Sequence, residues 1–184
     1  MNEINKYTFT YDSSALRCFV NDELDVIAGT SNGFSMSNVQ PFKFFQTVVV
    51  GYEQYMRSTI GLLDNINIHN GIATKVRNAN PNEQYLVVDL AFDGANGSTN
   101  IVDNGVLKSN WTLNGNAKIS TDQKFDGFSS MLVNGDTSFI KTYLDLGPSF
   151  TIEFEFITPS KDSGYHLCLL DYGDGSLGYS GFVS

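Results

Sequence analysis

The sequence predicts an all-β protein, an antiparallel β-sandwich, and three observations carry that expectation. Short runs of alternating apolar and polar residues, bounded by Asn, Asp, Gly and Ser, recur at roughly eight- to twelve-residue spacing, the cadence of a sandwich or barrel. Helical periodicity is scarce, while 17 Gly against four Pro supply frequent turns. With 41% apolar and 13% aromatic residues in 184, the chain suits one ordinary domain or a small pair and can bury a core without disulfides or metals.

Each element follows from alternation along a strand. In "ALRCFVNDELDVIAG", Leu16, Cys18 and Val20 share a face, Asn21-Asp22 tolerates turn conformations, and a second run follows through Val26 and Ile27, which predicts a hairpin. In "GLLDNINIHNGIA", Leu62, Ile66 and Ile68 fall on one face with Asp64 among them, opposite Asn65, Asn67 and His69. A carboxylate on the core side needs backbone donors, a cation or water.

From Asn70 to Gln84, "NGIATKVRNANPNEQ" loses the alternation and includes Asn80-Pro81. It reads as a linker, residues 71–84, between blocks at 1–70 and 85–184. In "YLVVDLAFDG", Leu86, Val88, Leu90 and Phe92 form the expected core face. "SSMLVNGDTSFIKTYLDL" predicts a second hairpin turning at Asn134-Gly135, and "FTIEFEF" a strand with Phe150, Ile152, Phe154 and Phe156 inward and a solvated face carrying Glu153 and Glu155.

Eleven basic against 20 acidic residues give a formal charge of −9, which repels phosphate backbones and argues against nucleic acid as a partner. The N-terminus "MNEINKYTFTYD" shows no export signal, and no run of about 18 apolar residues predicts membrane insertion. Cys18 and Cys168 are isolated and read as buried free thiols. Sequons at Asn96 and Asn110 matter only in a secretory pathway.

The second block, with "LVVDLAFDGANGSTNIVDNG" and "NGNAKISTDQKFDGFSSMLVNGDTSFIKTYLDLGPSFTIEFEFITPS", resembles the amino-terminal half of concanavalin A-like, laminin G-type jelly rolls, in the form found in bacteriophage tail and virion-surface proteins. The first block, with "KYTFTYDSSALRCFVNDEL" and "GLLDNINIHNGIA", resembles the carboxy-terminal half of that domain, so the halves stand in reversed order. Asp22 stands where the family usually turns on Gly. Two arrangements follow: a circularly permuted or strand-exchanged sandwich, or an excerpt across a tandem array. Each block alone exposes an apolar sheet face at a cost of about 25 cal/mol per Å², which favours one composite sandwich, with the Leu62–Ile68 and Leu86–Phe92 segments paired antiparallel.

The resemblance implies a virion or extracellular location and a non-enzymatic role: adhesion to a surface glycan, or assembly with other virion proteins, with homo-oligomers allowed. It also implies one structural Ca2+, for which Asp64 and Asp93 are the candidate ligands; otherwise these carboxylates accept hydrogen bonds from turn amides. Sugars present apolar faces and directional hydroxyls, so Trp111, Tyr165, Tyr172 and Tyr179 are the candidate carbohydrate-binding aromatics, with strand packing as their other reading.

Glycoside hydrolases share this jelly roll and need two carboxylates across the sugar. Glu153 and Glu155, about 6.6 Å apart along a strand, are the best pair, but "TIEFEFITP" lacks the middle Asp and third carboxylate of the hydrolase pattern. His69 and His166 show no metal-binding spacing, "GDGSLGYSG" is out of frame for a nucleophile elbow, and "FDGANGST" has no Lys for a phosphate loop.

Overall fold

The computed structural model describes residues 4–29, 40–44, 60–71, 86–122, 125, 127–134, 138–157, 167–168, 170–172 and 182–183. Every regular element among them is a strand: β1 (Ile4–Tyr11), β2 (Ala15–Val20), β3 (Glu23–Gly29), β4 (Gln40–Phe44), β5 (Ile60–Asn70), β6 (Leu86–Leu90), β7 (Thr112–Asn114), β8 (Lys118–Ser120), β9 (Ser130–Asn134), β10 (Phe139–Leu144), β11 (Phe150–Ile157), β12 (Leu167–Cys168), β13 (Leu170–Tyr172) and β14 (Phe182–Val183).

All pairings are antiparallel. The larger sheet runs β3-β2-β1-β11-β5-β9-β8, and β6 also pairs with β5; the smaller runs β13-β4-β10-β7, and β12 pairs with β14. Strands from both sequence blocks interleave. β11 lies between β1 and β5, with Tyr11 and Asn70 flanking Phe150. β6 and β9 divide one edge of β5: Leu62 and Leu63 face Leu132 and Met131, and Ile66 faces Leu90.

The core fills the space between the sheets, giving the fold its β-sandwich character. Tyr7, Phe9 and Tyr11 of β1, the inward residues of β11, and Leu63, Ile66 and Ile68 of β5 join Phe42 of β4 and Ile140 and Leu144 of β10 in one buried cluster. Tyr7 stacks on Phe154 with ring centroids 5.5 Å apart, and Tyr11 meets Phe150 at 5.4 Å. Burying each such ring contributes about 1.5–3 kcal/mol, so the β1–β11 contact is a principal element of stability. Val88, Leu90 and Phe92 are buried as the alternation predicts, whereas Leu86 is only half-buried.

The Asn21-Asp22 hairpin forms, with φ of 52° and 69°, the paired positive values of a type I′ turn. The expected hairpin at Asn134-Gly135 does not. β9 belongs to the larger sheet and β10 to the smaller, so the chain there crosses between sheets. The same crossing occurs between β7 and β8, and the two run side by side: β8 pairs β9 in one sheet while β7 pairs β10 in the other. Ser138 joins them, its hydroxyl donating to the Asn134 carbonyl at 2.6 Å and accepting from the Asn116 amide at 3.0 Å. An Asn-Gly signal marks a change of direction, and a sheet-to-sheet corner satisfies it as well as a hairpin does.

A second correction concerns β5. Asn65 has φ of 52°, and the register with β11 shifts there, Glu153 facing Asn67 but Glu155 facing Asp64. This bulge reverses the faces of the residues before it. Leu63, opposite Phe156, takes the core position, while Leu62 and Asp64 go to the other face, opposite Ile157 and Glu155.

Candidate functional site

The face of the larger sheet turned away from the core carries a band of polar groups. Register places Lys6 and Thr8 of β1 beside Glu155 and Glu153 of β11, these beside Asp64 and Asn67 of β5, and Asn67 beside Asp89 of β6. Glu153 is its centre. The solvated face expected here is not observed: Glu153 is only 7% exposed. One carboxylate oxygen meets Lys6 Nζ at 2.9 Å and accepts from the Thr8 hydroxyl at 3.4 Å; the other lies 3.8 Å from His69 Nε2. Burial of the imidazole lowers the His69 pKa below its ordinary value, with the Glu153 charge acting in the opposite sense.

Glu155 accepts from the Asn65 side-chain amide at 2.9 Å. A glycosidase directs both carboxylates at a bond between them. Here each has a protein partner, and Glu153 ties β1 and β5 to β11.

Asp64 is buried, and its Oδ1 accepts from the Asn65 backbone amide at 2.9 Å. Asp93 is exposed, just beyond β6, and accepts from the Phe128 amide at 3.1 Å. Both therefore take turn amides, and among the described residues no group of three or more His, Cys, Asp or Glu is gathered to hold a metal ion.

Trp111, immediately before β7, is half-buried and packs against the core cluster. Tyr172 occupies the register position opposite the buried Phe42. Tyr165 and Tyr179 lie outside the described residues, as does His166. Cys18 is a half-buried free thiol whose pKa burial, aided by the Asp25 charge, pushes up to about 12, which disfavours the thiolate at neutral pH.

The residues that sequence reasoning passed over lie in "IVDNGVLKS". Here the chain returns along the outer edge of β6: Asn104 N donates to Asp89 O at 2.8 Å and Leu107 N to Val87 O at 3.0 Å. The buried Asp103 holds this turn, accepting from the amides of Asp89 at 2.9 Å and of Gly105 and Ser109 at 2.8 Å. Burial and the neighbouring Asp103 charge raise the Asp89 pKa. Covering the edge satisfies its backbone groups, and it leaves Val102, Val106 and Leu107 outside at 59%, 65% and 48% exposure. The signal available in the sequence was an Asp-Asn-Gly turn flanked by apolar residues. Elsewhere, Tyr143 of β10 is 59% exposed.

Among the described residues no helix is long and apolar enough to cross a membrane. Scans of family models, curated proteins and solved structures find no match to this chain.

Proposed function

We propose that this chain works without catalysis, as an assembly module of a phage tail or virion surface, in keeping with the jelly rolls it resembles. The observation that supports this most is the ledge of Val102, Val106 and Leu107. A loop whose buried Asp103 carboxylate accepts hydrogen bonds from three backbone amides holds its apolar side chains in water already ordered, and pre-ordering of that kind favours protein contact. The commitment of both Glu153 oxygens to Lys6, Thr8 and His69 supports a structural role for the acidic pair.

Tyr143 favours a second reading, adhesion to a surface glycan, because an exposed aromatic ring on a strand suits sugar stacking. Light scattering over a concentration series separates the two. Assembly predicts a mass that rises with concentration and a monomer in the V106D/L107D double variant. Adhesion predicts glycan-array signals lost in Tyr143→Ala. A strict monomer that binds no glycan overturns both, and polysaccharide turnover lost in Glu153→Gln overturns the non-catalytic premise.

A further inference from the structure

Glu153 is a buried carboxylate shared by two basic groups from strands on either side of it, Lys6 of β1 and His69 of β5. We propose that His69 is a proton-operated release for this joint: with the imidazole neutral, Lys6 and Glu153 balance each other and hold β1 to β11, and protonation sets a second cation on the same carboxylate and loosens the β1–β11–β5 seam.

The geometry supplies the reason. The three side chains are 9%, 17% and 18% exposed, so water does little to screen an added charge. One carboxylate neutralises one cation, and an uncompensated charge in a nearly closed site is costly. Among the described residues Lys6 makes one further ion pair, to the Asp22 carboxylate at 3.3 Å, but that group is 76% exposed and well screened; Glu155 lies across from Lys6 in the register and accepts from the Asn65 side chain. Among the described residues, the charged groups on the face that carries His69 are Glu153 from β11, with Lys6 beyond it from β1, Asp89 from β6 opposite Asn67, and, further along the band, Glu155 and Asp64. The residues directly across from His69, Thr151 and Leu86, carry no charge.

The sign follows from the lowered folded-state pKa of His69. The unfolded chain binds the proton more tightly, so this stability is complete above the ordinary value of 6.5 and is lost as pH falls below it. Asp89, held above its ordinary value, gives the opposite slope, so a His69 variant is the needed comparison.

The test uses the whole chain. His69 and His166 are its only histidines, and proton NMR follows both imidazoles. His69 is expected to titrate below 6.5 in the wild type and lower still in Glu153→Gln, where the favourable carboxylate is gone. Between about pH 7.5 and 5.5, hydrogen exchange of the β1 amides, corrected for intrinsic rate, is expected to accelerate about threefold or more in the wild type and not in His69→Gln. An imidazole titrating at or above 6.5, or equal acid loosening in His69→Gln, overturns the proposal. Should His69→Gln not fold, the wild-type titration decides alone.

Discussion

At the scale of single residues, Asp103 shows how much one buried carboxylate organises. Hydrogen bonds to a charged acceptor contribute about 1.5–3 kcal/mol each, and Asp103 makes three to backbone amides that have little water to fall back on. Asp103→Ala is expected to cost about 3 kcal/mol or more in urea unfolding. Gly105 is required for a different reason. A Cβ there falls 2.5 Å from the Val87 carbonyl oxygen and the Val88 Cα, backbone atoms that cannot rotate away, so Gly105→Ala is expected to cost about 3 kcal/mol. A midpoint unchanged in both variants sinks the account of the pinned loop. The Asp-Asn-Gly signal was passed over in the sequence, and even when read as a turn it does not say that the turn seals the edge of β6, because the groups it caps are distant carbonyls with no local signature. Asp64 was misplaced for a related reason: alternation predicts its face only while the strand stays regular, and Asn65 interrupts it.

At the scale of elements, the strands rich in apolar alternation were legible and the turns only in part. β11 buries its expected apolar face, β6 does so from Val88 onward and β5 keeps its pattern only from Ile66 onward, whereas the three-residue β7 and β8 are too short to show a period. The two tight turns at the start of the chain make distinct predictions. In the turn after β1, the Ser14 hydroxyl, the Arg17 guanidinium and the amides of Ala15 and Ser14 hold the Asp12 carboxyl well below its ordinary range. That stability is complete above the ordinary carboxylate value of about 4 and is lost as pH falls through the lower folded-state value. Asp12→Asn is therefore expected to flatten the acid limb of a stability-versus-pH curve measured by denaturant titration. In the turn after β2, Asp22 adopts φ of 69° and its side chain, itself largely exposed, makes one ion pair among the described residues, to Lys6. Asp22→Gly removes the left-handed strain, worth about 1 kcal/mol, and gives back part of it as unfolded-state entropy. A net gain of about 0.5 kcal/mol is expected. Asn21 is the residue to keep, because its side chain accepts from the Lys6 amide and donates to Asn5, and Asn21→Gly should destabilise where Asp22→Gly does not.

At the scale of the whole molecule, the lesson lies in β11. Nothing in the periodicity of "FTIEFEF" says which strands will flank it, since alternation encodes faces and not neighbours. Its neighbours are β1, some 145 residues earlier as Thr8 and Glu153 are numbered, and β5, which precedes the segment from 71 to 84. The smaller sheet repeats the pattern, with β4 between β10 and β13. A chain assembled this way closes long loops before its central contacts form, and slow folding, in milliseconds to seconds, is the expectation. The same interleaving makes a sharper prediction about pieces of the chain. A fragment of residues 85–184 keeps β11 but loses both strands that hydrogen-bond to it, together with the rings of Tyr7, Phe9 and Tyr11 that cover Phe150 and Phe154. A fragment of residues 1–71 keeps β1 and β5 but has nothing between them. Neither is expected to give a dispersed amide NMR spectrum alone. Mixed or co-expressed, they should recover one as a 1:1 complex, because each supplies the strands the other lacks. Independent folding of either fragment would show that the interleaved sheet is not the unit of stability, and the burial argument for one composite sandwich would fall with it.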